Sequence, residues 1–95
     1  MGKIYVGAHF LVNLRGGVDI AGGTAVMQYL KPGATVAAEV PATILDIPTC
    51  TAQGEFPPAL NDTPGQWRFW LRPTFADGRV SIGEPFRVRI YPVGA

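Results

Sequence analysis

Apolar and polar residues alternate over much of the chain, and glycine or proline interrupts the pattern before any run reaches helical length. The first run, residues 3–15, places Ile4, Val6, Ala8, Phe10, Val12 and Leu14 on one face. A period of two is what a half-buried strand requires. Tyr5, His9, Asn13 and Arg15 take the opposite face, with Leu11 as an outlier, and Gly16-Gly17 ends the run. After "VDIAGG", Thr24 to Lys31 is apolar on both faces, as expected of a central strand. "KPGA" at 31–34 predicts a turn, because proline presets the first torsion and glycine accepts positive φ. A third run, Thr35 to Ile47, contains Pro41, which removes a ladder donor and predicts an edge or a bulge. Residues 48–64 hold four prolines and predict a long loop with room for one short strand.

The last two runs, "GQWRFWLRPTF" and "RVSIGEPFRVRIYP", flank Ala76-Asp77-Gly78-Arg79, and Asp-Gly is a strong hairpin signal. With Asp77 and Gly78 as a two-residue loop, Phe75 faces Val80, Phe69 faces Phe86 and Trp67 faces Val88. The opposite side pairs Arg68 with Arg87 and Trp70 with Pro85, and carries Arg72, Arg89 and Tyr91. Gly83 and Pro85 provide for a bulge that would shift the lower pairings by one residue. Trp67, Phe69, Leu71, Phe75 and Phe86 are thereby assigned to the interior. Arg68, Trp70, Arg72, Arg87, Arg89 and Tyr91 form the candidate protein-interaction face. Opposed arginines repel unless something anionic or planar lies between them, and stacking on Trp70 or Tyr91 offsets part of that repulsion. A solvated face with an indole shielding arginine stems is the plain alternative. Trp, Tyr and Arg are, however, the residue types enriched at interface hot spots, which favours a contact surface.

Composition sharpens this picture. The 95 residues, 1–95, make a single domain, and only 16% are charged against 47% hydrophobic. That is well below the usual charged quarter of soluble proteins, and it suits a surface partly covered by a partner. A net charge of +1 gives no field to hold nucleic acid or an anionic membrane. A lone cysteine, Cys50, excludes an intramolecular disulfide and, with only His9 beside it in the inventory, a cysteine-rich zinc site. Cys50 is expected to be a small buried apolar residue. The seven carboxylates are scattered, and Asp62 and Asp77 are assigned to turns. No nucleophile–base arrangement, phosphate cradle or metal cluster is apparent, so catalytic, cofactor and metal sites are all expected to be absent and the protein is expected not to be an enzyme. The opening "MGKIYVGAHF" lacks the pattern of a signal peptide, and synthesis in the cytosol is expected.

Short strands between turn signals predict an antiparallel sandwich or barrel. The order "VDIAGGTAV" (18–26), "YLKPGAT" (29–35) and "TPGQWRFWLRPTFADGR" (63–79) resembles small immunoglobulin-like proteins among the tail genes of tailed bacteriophages. It is also similar to the N-terminal domain of phage upper-baseplate proteins. Asp19-Ile20-Ala21-Gly22, Lys31-Pro32-Gly33, Gly65-Gln66-Trp67 and Phe75-Ala76-Asp77-Gly78-Arg79 carry the likeness, while residues 48–61 are longer and richer in proline than the pattern. The resemblance implies an immunoglobulin-like antiparallel β-sandwich of about seven strands. It further implies a non-enzymatic virion structural or adaptor protein of tail, baseplate or fibre. Such a protein would be made in the host bacterial cytoplasm and contact other phage structural proteins, as a homo-oligomer or within a larger assembly. Nucleic acid and membrane are not expected as partners. The alternative is a carbohydrate-binding sandwich that recognises host cell-surface glycan; single-stranded nucleic-acid binding is disfavoured by the near-neutral charge.

Overall fold

The structure is a computed structural model that describes residues 3–94. It is all-β, with no helix among the described residues and seven strands. These are β1 (Ile4–Tyr5), β2 (Phe10–Arg15), β3 (Thr24–Leu30), β4 (Ala38–Asp46), β5 (Thr51–Phe56), β6 (Gly65–Thr74) and β7 (Phe86–Tyr91). Their spatial order is β1-β7-β6-β3-β4-β5-β2 in one continuous sheet. Every neighbouring pair is antiparallel except one: β1 runs parallel to β7, with Ile4 opposite Ile90 and Tyr5 opposite Tyr91. The sheet curls on itself into two facing layers and is nearly closed like a barrel.

β4 makes the corner. It pairs with β3 as far as Pro41 and with β5 from Ala42 onward. The missing N–H of Pro41 therefore falls where the strand leaves one layer for the other. Hairpins join β3 to β4, β4 to β5 and β6 to β7, while the chain changes layers between β2 and β3 and between β5 and β6. That wiring is the immunoglobulin-like Greek key.

Residues 3–15 do not form one strand. Gly7 takes a φ of 87° and breaks the run, so that β1 joins one layer and β2 the other. Asn61 fixes the break: its Nδ2 donates to the carbonyls of Tyr5 at 2.8 Å and Ala8 at 2.9 Å, and its own carbonyl accepts from Gly7 N–H at 2.8 Å. Ala8, expected on the apolar face, is exposed at the break. The rest of the alternation survives because both pieces point at a shared core, which buries Phe10 and Val12 and packs Ile4 and Val6 against it.

That core is aromatic. Phe10 stacks on Phe56 at 4.9 Å between centroids, and Tyr29 stacks on Trp67 at 5.8 Å. Trp67 is fully buried, and its indole N–H is satisfied by the Thr63 carbonyl at 2.8 Å. The region read as a long loop with room for one short strand contains β5, a six-residue strand paired on both sides. Ala52, Gly54 and Phe56 face inward from it.

The terminal hairpin has the expected register at its base, where Trp67 opposes Val88, Arg68 opposes Arg87 and Phe69 opposes Phe86. Toward the tip the register shifts by one: Thr74 pairs with Val80, and Gly83 N–H donates to Leu71 O. The loop is Ala76-Asp77-Gly78, three residues and not two. Phe75 N–H donates to Arg79 O, Gly78 N–H to Phe75 O, and Gly78 takes a φ of 90°. The shift is absorbed at Glu84-Pro85, so the Phe75–Val80 and Trp70–Pro85 pairs do not form. Phe86 is also a correction: at the open margin of the sheet it is 52% exposed.

Candidate functional site

The outer surface of the β1-β7-β6-β3-β4 layer is built by alternation. Along β6, Trp67, Phe69 and Leu71 go inward, so Arg68, Trp70 and Arg72 stand outward. Along β7, Ile90 is buried, so Arg87, Arg89 and Tyr91 share the outer side. All six residues singled out from the sequence therefore lie on one surface.

The ladder sets who meets whom. Arg68 lies between Arg87 on β7 and Leu30 on β3, and Trp70 lies beside Gln28, which is itself opposite Glu39. Trp70 is half-buried, and its indole N–H donates to Gln28 Oε1 at 2.8 Å. At the far edge Tyr5 and Tyr91 meet at 6.2 Å between ring centroids. Lys3 Nζ and the Arg89 guanidinium lie 4.8 Å and 5.7 Å from the Tyr91 ring centre. Lys3, Tyr5 and Gln28 thus join the surface, although the hairpin pattern did not connect them to it. Tyr5 already stood on the outward side of the first run; only the parallel β1–β7 pairing brings it beside Tyr91.

Lys3, Arg68, Arg72, Arg87 and Arg89 place five of the chain's eight Lys and Arg residues on this surface, with Glu39 as the carboxylate among them. The ion pairs among the described residues are Lys31–Asp62 at 2.7 Å, Arg79–Asp77 at 2.6 Å and His9–Glu55 at 3.5 Å. None involves the four face arginines. At one end of the surface Arg68, Arg87, Gln66 and the 31–34 turn enclose a polar hollow of about 370 Å³. Lys31 at its rim is already engaged by Asp62, and that hydrogen bond, with one from Thr63, holds the Asp62 carboxyl below the usual range. The arginines remain free to donate to an incoming carboxylate or other planar acceptor.

His9 and Glu55 form an exposed pair on the other layer. Cys50 is fully buried, and burial pushes its thiol pKa up. Among the described residues no three His, Cys, Asp or Glu side chains come together as a metal site would need. Asp77 does act in its turn, accepting from Arg79 N–H at 3.0 Å. No protein-family model matches this chain, and no curated protein matches it.

Proposed function

We propose that the chain is a non-enzymatic structural or adaptor protein of a tailed-phage virion, docking to other virion proteins through the outer surface around Trp70. The observation that carries this reading is the set of arginines on that surface that have no ion pair among the described residues, gathered beside Trp70 and Tyr91. Arg68 and Arg87 directly opposite each other repel in the isolated chain, and carboxylates from a partner relieve that repulsion. The bond to Gln28 holds the Trp70 indole in one orientation before any partner arrives, which lowers the entropic cost of docking. Guanidinium neighbours suit protein carboxylates better than sugar hydroxyls. The order of turn and strand motifs over 18–26, 29–35 and 63–79 supports the phage assignment.

Trp70→Ala and Arg87→Glu are each expected to weaken association about tenfold or more, read by light scattering and pull-down against virion proteins. Circular dichroism and thermal melts should confirm that both variants remain folded. Unchanged association in both variants would remove this surface from the proposal. A saturable tryptophan-fluorescence change on titration with host polysaccharide would replace protein docking by glycan binding.

A further inference from the structure

The sheet is left open along one side, and that opening has its own chemistry. β2 pairs with β5 on one edge, and its other edge has no strand beside it among the described residues. β7 pairs with β6 along its length, but β1 covers its other edge only at Ile90 and Tyr91. The open edges of β2 and of Phe86–Arg89 therefore flank a seam, each presenting backbone N–H and C=O groups without a ladder partner. Two hollows of about 570 Å³ and 400 Å³ run along it. Val12, Val88 and Leu71 line the seam, and Leu11, Phe86 and Ile82 stand at its rim, 47%, 52% and 69% exposed. Charge on the lining is one-sided. Lys3, Arg15, Arg87 and Arg89 are answered by Glu84 alone.

We infer that this seam accepts one extended strand from a partner protein, a segment that alternates apolar with acidic side chains. Addition of a strand satisfies unpaired edge groups by main-chain hydrogen bonding, and the alternation decides which sequences fit. Every second side chain of the incoming segment covers Val12, Val88 and the exposed Phe86. The intervening ones face the rim, where four cations select carboxylates over ammonium groups. The six residues of β2 set the shortest segment that pairs along the whole edge. This site does not include Trp70, but it shares the Lys3, Arg87, Arg89 and Tyr91 side chains with the Trp70 surface.

The probe is a synthetic nine-residue peptide alternating valine with glutamate, compared with one alternating valine with lysine, each titrated into the 15N-labelled chain. The glutamate peptide is expected to shift the β2 and β7 amide resonances, to slow their hydrogen exchange at least tenfold, and to bind at least tenfold tighter than the lysine peptide. Leu11→Glu and Phe86→Glu, both at exposed positions, should each weaken binding at least tenfold. Val36→Glu, 81% exposed and outside the seam, should not. Equal binding of the two peptides, no shifts at millimolar peptide, or shifts centred on Trp70 would each overturn the proposal. So would self-association of the unliganded chain through β2, which would make a second copy the occupant.

Discussion

Asn61 sits where the chain passes from one layer to the other, and it works there as a donor. Its amide nitrogen holds the Tyr5 and Ala8 carbonyls, while its side-chain oxygen is buried without a partner among the described residues. A carboxylate of the same shape would set oxygen against oxygen. Asn61→Asp should therefore destabilise the fold by about 3 kcal/mol or more at neutral pH, as for a buried group that loses its partners and gains charge. The introduced carboxyl would have its pKa raised by burial. Its penalty is then present above the ordinary carboxylate range and shrinks as pH falls and the group protonates. Urea unfolding at pH 7 and pH 4 checks this: an equal loss at both values would rule out the donor account.

At the scale of elements, β5 shows what neighbours can do for a weak strand former. Gly54 is packed under Met27, and a Cβ built on it would come 2.7 Å from Met27 Sδ and 3.3 Å from Met27 Cβ. Met27 is fully buried and has little room to withdraw. Gly54→Ala should cost about 1–3 kcal/mol by overpacking. Combined with Met27→Ala it should cost less than the two single losses added, since the truncation opens the space that the new methyl needs. Chemical denaturation of the three variants measures that coupling. The same contact helps explain why β5 was hard to read in the sequence: "TAQGEF" has small residues at two of its inward positions, and at Gly54 Met27 fills the space from β3. Strands that carry their own bulky inward residues were legible, above all β6, whose alternation fixed both the core side and the outward Arg68, Trp70 and Arg72. The break at Gly7 was not, because it depends on Asn61, more than fifty residues away along the chain. The extra residue in the hairpin loop escaped for a smaller reason: Asp-Gly serves a three-residue turn as well as a two-residue one. The candidate surface was legible where one hairpin supplies it and illegible where Lys3, just before β1, and Gln28 on β3 join it.

For the whole molecule, global stability should carry the signature of one buried thiol. Cys50 has no exposed surface, and its pKa is raised in the folded state by desolvation. The unfolded chain ionises first, near the ordinary thiol value of about 8.5. Stability is therefore complete below that pH and declines as pH rises from there through the folded pKa. Unfolding titrations across this alkaline range should show a downward slope that Cys50→Ala flattens, even though the truncation lowers stability at every pH. A thiol reagent should label native protein only as fast as it opens.

The lone parallel pairing also governs how the molecule bears load. Because β1 and β7 lie side by side and point the same way, tension applied at the start of one and the end of the other slides them past each other. Bonds loaded in that direction resist together, whereas those of an antiparallel hairpin pulled at its open end part singly. An assembly tugging along these strands would first meet the patch at Ile4, Tyr5, Ile90 and Tyr91, which gives way all at once and only then lets the sandwich come apart.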